Sequence, residues 1–275
     1  MAVDPNGVIG VNNKLPWYYP SELKHFHQNN KLDMHVEAIY THRIQCGEAL
    51  EKILDYYIPK LLREKVVLAI TSKIISVCQK RVIHKNAYSK EELIRKEASA
   101  IADTRYNPCG IHLTIKDDIL IPSAGIDESN GDRMYTLYPK DVQKTAASVW
   151  SYLRRKHCIE HLGILITDSN ITPMRLGVTG IALGWCGFEP HYSYIGKPDL
   201  YNNPLQVTQV NLLDALATSA VLVMGEGAEQ TPLAIIRNAP KIRFLTRLPT
   251  IEEEKSVKIS MQEDLYSPLF MELGG

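Results

Sequence analysis

Apolar residues recur along the chain in two periods, and the change between them marks the elements. Leu50, Ile53, Leu54, Tyr57, Ile58, Leu61 and Leu62 fall on one helical face, which predicts a helix over 47–63. The unbroken apolar run Val66-Val67-Leu68-Ala69-Ile70 has strand length and predicts a buried strand. Ser89-Lys90-Glu91-Glu92 has capping-box form and predicts a helix from there to about Asp103. The apolar stretches beginning at Ile111 and Ile119 flank Lys116-Asp117-Asp118, the pattern of a β-hairpin. Pro139 predicts a first helical position, with the helix running to about His157. Arg154, Arg155 and Lys156 would then sit at the negative end of its dipole. Residues 163–167 read as a strand, 209–223 as an amphipathic helix, and 232–237 as a last strand. Helices and strands alternate without a repeat, so the fold class is mixed α/β (α+β). The dinucleotide fingerprint is missing: Gly225-x-Gly227 has no third glycine and follows a helix, which makes the fold non-Rossmann.

Composition changes this picture mainly by exclusion. The 275 residues carry 31 Lys and Arg against 31 Asp and Glu. That balance argues against non-specific binding of nucleic acid or an anionic membrane, both of which need clustered cationic excess. It leaves room for a local charged pocket. The longest apolar run falls short of a membrane span, and the N-terminus has no secretory pattern. Cys46, Cys78, Cys109, Cys158 and Cys186 are odd in number and form no CxxC motif, so reduced thiols in a cytoplasmic protein are expected.

Three polar segments stand at element ends, where chemistry is commonly placed. They are Gly125-Ile126-Asp127-Glu128-Ser129-Asn130-Gly131-Asp132, Thr167-Asp168-Ser169-Asn170 after a strand, and Met224-Gly225-Glu226-Gly227 after a helix. Carboxylates, hydroxyls and amides are hard oxygen ligands suited to Mg²⁺ or Mn²⁺. The same residue types populate turns and helix caps, and the pattern alone leaves both readings open. The phosphate-loop motif fails, because Gly196-Lys197 is followed by Pro198. His157 and His161 straddle a predicted helix end and read as a satisfied or exposed pair, not a metal site. Cys186 lacks the partners of a nucleophile, and no catalytic residue is assigned.

Two resemblances add to this reading. Pro5-Asn6-Gly7-Val8-Ile9-Gly10, Leu15-Pro16-Trp17 and Pro20-Ser21-Glu22-Leu23 look like the opening of dihydrofolate reductase. That likeness would make Glu22 the catalytic acid, but it ends near Phe26 and nothing downstream supplies a reductase sheet. Residues 1–30 therefore read as a fragment or appendage without reductase activity, ahead of one domain over 31–275.

The larger resemblance rests on ordered motifs. They are Ile44-x-x-Gly47-Glu48-x-Leu50, Thr71-Ser72-Lys73-Ile74-Ile75-Ser76, Ala124-Gly125-Ile126-Asp127-x-Ser129-Asn130 and Leu165-Ile166-Thr167-Asp168-Ser169. Arg175-x-Gly177-Val178-x-Gly180, Gly196-x-x-Asp199-Leu200-Tyr201, Asp214-Ala215-x-Ala217 and Met224-Gly225-Glu226-Gly227 continue the series. Together they resemble the coenzyme F-420:L-glutamate ligase family over about residues 34–240. The resemblance implies that family's fold and a GTP-dependent γ-glutamyl ligase, usually a homodimer. It further implies two Mg²⁺ or Mn²⁺ ions, with K⁺ as a candidate further ion, and an acyl-phosphate route. Position by position, Asp127, Asp168, Ser169 and Glu226 match metal ligands. Ile44, Ser72, Lys73, Asn130, Met224, Gly225, Gly227, Ala228, Glu229 and Gln230 match nucleotide-binding positions.

The chain departs from the family pattern at Val77 and Thr172, where basic residues are expected, while Arg175 is kept. Fewer point charges near a phosphate imply altered nucleotide or acceptor preference. The expected substrates are GTP, L-glutamate and the deazaflavin F-420-0, with folate as the alternative acceptor that the reductase-like leader suggests. Two readings of another class stand beside this: a non-catalytic nucleotide-binding or regulatory protein, and an interaction module built on residues 1–28.

Overall fold

A computed structural model describes residues 33–102 and 110–268. The leader over 1–28, its Glu22, and Cys109 lie outside the described residues. At the centre is a five-stranded mixed sheet in the order β1-β12-β2-β8-β9. Its strands are β1 (His35–Ile39), β2 (Val66–Thr71), β8 (Leu162–Ile171), β9 (Val178–Cys186) and β12 (Leu233–Arg237). β2 and β8 are parallel, and every other pairing in this sheet is antiparallel.

The period-2 pleat of β2, β8 and β12 divides their apolar residues between two helical layers. Leu68, Ile70, Ile164, Ile166 and Ile235 face one side, in one cluster with Leu54 and Ile58, Val149 and Leu153. These partners belong to α1 (Leu50–Tyr57) with its cap, and to α4 (Val142–His157). Val67, Ala69, Leu165, Ala234 and Ile236 face the other side, where α5 (Leu212–Met224) contributes Leu213, Leu216, Ala217 and Ala220. Each fully buried Leu or Ile contributes about 1.5–3 kcal/mol by leaving water, so both faces are held by the same effect. Gly180 lets α5 come close to β9: a Cβ there would lie 2.3 Å from the carbonyl oxygen of Ala217.

Smaller sheets stand beside this core. β4 (Ala100–Ile101), β5 (Leu113–Lys116) and β6 (Ile119–Pro122) form one, and β3 (Val82–His84) pairs with β7 (Met134–Thr136). α2 (Ser72–Cys78) follows β2 directly, and α3 (Lys90–Glu97) precedes β4. Leu93, Ile94, Ile126, Tyr135 and Leu137 make a third apolar cluster there. β10 (His191–Ser193) pairs with β11 (Gln209–Asn211), and α6 (Ile251–Ser256) completes the described elements.

Element types follow the sequence pattern, and several bounds differ for local reasons. α1 stops at Tyr57 because Pro59 has no N–H to donate and its ring excludes a helical carbonyl four residues back. α3 has its capping box at Ser89 and Glu92, but Ala98 is extended and the chain leaves for the β4 ladder. Pro139 is not a first helical residue. The Gln79 side chain bonds both the N–H and the carbonyl of Lys140, and Asp141 is left-handed, so α4 begins at Val142. The strand expected to end at Thr167 runs on to Ile171, because after a bulge between Ile166 and Thr167 it keeps pairing with β9. Gln209–Asn211 is strand, and Asn211 caps α5 by accepting from the Asp214 N–H at 3.1 Å.

Candidate active site

The strand directions bring four chain segments to one edge of the sheet. β2 and β8 run parallel and both end there. β12 is antiparallel to β2, so it starts there, with Leu233 opposite Ile70. β1 is antiparallel to β12, so it ends there, with Ile39 opposite Leu233. Crevices outside strand ends are where open sheets of this kind collect ligands. The segments that follow or precede these ends surround a cavity of about 1170 Å³, roomy against the 300–1,000 Å³ or so of a small-molecule pocket.

Apart from Ser72, every residue matched to a metal-ligand or nucleotide-binding position lines this cavity. Ile44 comes from the segment after β1, Lys73 from α2, Asp127 and Asn130 from the segment before β7, and Asp168 and Ser169 from β8. Met224, Gly225, Glu226, Gly227, Ala228, Glu229 and Gln230 come from the loop between α5 and β12. Ser72 is buried behind them, with its hydroxyl on Asp168. Cross-bonds tie the loops together. The Thr41 N–H donates to the Gln230 carbonyl at 2.9 Å, and the Asn130 amide donates to the Gly227 carbonyl at 2.8 Å. Gly225 is both the cap of α5, at φ 76°, and a wall of the cavity. Asp168 and Ser169 are strand residues of β8, not the turn that follows one.

Charge is arranged unevenly here. Asp127, Asp132, Asp168, Glu226 and Glu229 line the cavity, against Lys73 and Arg43 as the Lys and Arg side chains of its wall. The Lys73 ammonium pairs with Asp127 and donates to the Ser129 hydroxyl at 2.9 Å. Asp127 also accepts from the Ser129 N–H at 2.7 Å. Burial works to raise the Asp127 carboxyl, but Lys73 and the Ser129 bonds outweigh it and hold the group below its ordinary range. Asp168 goes the other way. Burial pushes its carboxyl up to about 7, and the Asp127 charge adds to the rise, while the Ser169 N–H, Ser72 and Lys73 only partly restrain it. Burial also raises Glu226, aided by Asp127 and Glu229 and opposed by the Ser169 hydroxyl and Lys73.

An Asp kept near neutrality by burial beside another carboxylate is a site short of positive charge. The donors facing that deficit are all oxygen, from Asp127, Asp168, Ser169 and Glu226, which suits a hard divalent ion. The residues therefore fit Mg²⁺ or Mn²⁺. Among the described residues no three His, Cys, Asp or Glu side chains close into a ready-made coordination sphere, so a bound ion would draw these carboxylates inward. His157 and His161 lie elsewhere, His161 Nδ1 being 3.3 Å from Glu64. Val77 lines the cavity, whereas Thr172 and Arg175 are exposed in the turn joining β8 to β9 and are not part of its wall.

Three contributors carry no assigned role from the sequence, although Ser129 and Asp132 stand in the polar segment that begins at Gly125. Ser129 sits inside a quoted motif, and its link to Lys73 was open to inference. Arg43 and Asp132 face each other at 3.7 Å across two loops, and only the topology brings them together.

Residues 38–238 match the family described as F420-0:Gamma-glutamyl ligase. The chain is 30% identical over 210 residues to the coenzyme F420:L-glutamate ligase of Methanococcus maripaludis strain C7, covering 68% of this chain and 83% of that one. Over 147 residues it is 36% identical to the enzyme of the same name from Methanopyrus kandleri, covering 53% and 57%. Over 119 residues it is 39% identical to that from Methanothermobacter thermautotrophicus, covering 43% and 47%.

Proposed function

The chain belongs to the F420-0:gamma-glutamyl ligase family and is a ligase forming γ-glutamyl amide bonds, and from that premise we propose that it couples L-glutamate to the carboxylate of coenzyme F420-0 at the expense of GTP. The observation that carries this reading is the convergence of Asp127, Asp168, Ser169 and Glu226 with Lys73 in one cavity. In the proposed reaction an acceptor carboxylate oxygen attacks the γ-phosphorus and the bond to GDP breaks. The glutamate amine then attacks the resulting acyl phosphate, inorganic phosphate leaves, and the amine gives up a proton. Divalent ions, when bound, would neutralise phosphate charge. Asp127, Asp168, Ser169 and Glu226 would hold them.

The protein's own residues supply position. Lys73 offers a point charge to phosphate oxygens, anchored in place by Ser129. Asn130, already bonded to the Gly227 carbonyl, keeps the two nucleotide-facing loops at a fixed distance. Ile44 gives the cavity an apolar wall against which a base can lie. We place this enzyme in the cytoplasm and as a homodimer. Exposed Met174 and Leu176 on the β8–β9 turn, with Leu200 and Tyr201 between β10 and β11, support the second point. Among the described residues no helix is long and apolar enough to cross a membrane.

Incubation with GTP or ATP, Mg²⁺ or Mn²⁺, L-glutamate and either F420-0 or folate tests the proposal. Phosphate release with a gain of one glutamate on F420-0 is the expected result. Glutamylation of folate instead would move the acceptor assignment. Nucleotide binding without turnover on either acceptor would overturn ligation and favour a regulatory protein.

A further inference from the structure

The segment that delivers Asp127 passes through an unusual backbone. Ser123, Ala124 and Gly125 have φ of 53°, 54° and 68°, three left-handed residues in succession. Glycine adopts this region freely, whereas Ser and Ala meet a clash between Cβ and the backbone. Something must hold the first two there. The Ser123 N–H donates to the His112 carbonyl at 2.7 Å, and the Ala124 N–H donates to Oγ1 of Thr114 at 2.7 Å. The Thr114 hydroxyl in turn donates its proton to the Ile121 carbonyl.

Thr114 is 1% exposed and Ala124 fully buried, so water has no access to replace these bonds. A hydroxyl has one proton and two lone pairs. Here the proton serves the hairpin and a lone pair serves the turn, which joins β6 to the residues that follow it. Downstream, Asp127 is pinned again: its N–H and carbonyl exchange bonds with Thr136 at 2.9 and 2.8 Å. Between these two fixed points lies only Ile126, itself buried. The hand of the turn and the Thr136 bridge together therefore set where the Asp127 carboxylate points. On the far side Gly125 packs against Tyr138, where a Cβ would come within 2.7 Å of the ring.

We propose that Thr114 is a positioning residue, whose buried hydroxyl locks the left-handed Ser123–Gly125 turn and so aims Asp127 into the cavity. Thr114 does not itself line the cavity; it acts through Ala124 and the turn. The competing explanation is that a β-branched residue simply suits β5. On that account valine, which has the same shape, serves as well or better. On ours valine leaves the Ala124 N–H, which bonds Oγ1 of Thr114, unpaired in a dry interior. The turn then relaxes toward right-handed backbone and takes the carboxylate with it.

The inference rests on reading Asp127 as a metal-facing carboxylate, and the test separates the two. Mn²⁺ alone is titrated into the full-length protein by calorimetry, with no nucleotide present. Thr114→Val is expected to weaken Mn²⁺ binding about tenfold and to lower kcat with little change in KM for the nucleotide. Thr114→Ser, which keeps the hydroxyl, is expected to bind Mn²⁺ as the wild type does. Ala124→Gly keeps the hydroxyl and lifts the Cβ clash, so it guards against a valine variant that fails to fold. It is expected to melt no lower than wild type and to bind Mn²⁺ as the wild type does, because its N–H still bonds Thr114 and glycine adopts the left-handed region freely. Wild-type Mn²⁺ affinity in Thr114→Val overturns the positioning role, as does equal loss in the serine and valine variants or a loss of affinity in Ala124→Gly. Asp127→Asn is run alongside. Intact Mn²⁺ binding in that variant overturns the metal reading, and with it the basis for the proposal.

Discussion

Replacing Asp168 by asparagine should stabilise the metal-free protein, and only above acidic pH. The Asp168 carboxyl, ordinarily at 3.8, is pushed up to about 7 in the fold, chiefly by burial. Below pH 3.8 both folded and unfolded chains carry the proton, and the site costs nothing. Between 3.8 and 7 the unfolded chain releases the proton while the folded one keeps it. Stability then falls as pH rises, by about 1.4 kcal/mol per unit. Above about 7 both states are ionised and the full penalty, about 4 kcal/mol over roughly three units, persists. The Asp168→Asn variant has no charge to bury there, and its amide oxygen can still accept from the Ser169 N–H that Asp168 binds at 2.9 Å. Thermal melts in EDTA from about pH 4.5 to about 8.5 should therefore show a gap between variant and wild type that opens with pH. At roughly 2 °C per kcal/mol for a chain of this size, it should reach several degrees at the alkaline end. Added Mn²⁺ should close the gap by raising the wild type alone. A variant that melts below wild type at the alkaline end, or a gap that does not vary with pH, would refute the reasoning.

Lys73→Met should separate two affinities that usually move together. Nucleotide binding, followed with a fluorescent analogue, should weaken about tenfold, while Mn²⁺ alone should bind more tightly once a like charge is gone. Gly180→Ala places a methyl against the Ala217 carbonyl oxygen and should cost about 1–3 kcal/mol in urea denaturation, with no change in the Mn²⁺ isotherm of the folded protein. Ser89→Ala removes a cap that accepts from the Glu92 N–H at 3.2 Å and should lower stability by about 1 kcal/mol, leaving turnover unaltered.

Much of the fold is legible because the apolar pattern is strong. Val66–Ile70 could hardly be other than a buried strand, and the hairpin turn at Asp117 and Asp118 has both residues left-handed, as its short polar link requires. Long-range pairing is less legible. That β8 carries on through Asp168 depends on β9, which no local pattern announces. The start of α4 depends on Gln79, far away in sequence, holding the Lys140 backbone. For the site, motif positions converge because they lie at or beside strand ends that topology gathers. What local sequence could not show is the hand of the turn before Asp127: Ser123 and Ala124 are ordinary residues in a conformation imposed from β5.

The pairing of β1 with β12 also sets an order of assembly. Glu37 and Arg237 meet at 2.7 Å although they stand 200 residues apart. During synthesis β1 emerges early and has no place in the sheet until nearly the whole domain has left the ribosome. Contacts of such separation close late, because the intervening loop entropy must be overcome first. The Thr41 N–H reaches the Gln230 carbonyl only through that closure, so the cavity rim is completed last. A nascent chain short of β12 would carry Lys73, Asp127 and Asp168 without their enclosure. Among the described residues, the cavity is thus enclosed only once the first strand has been joined by the last.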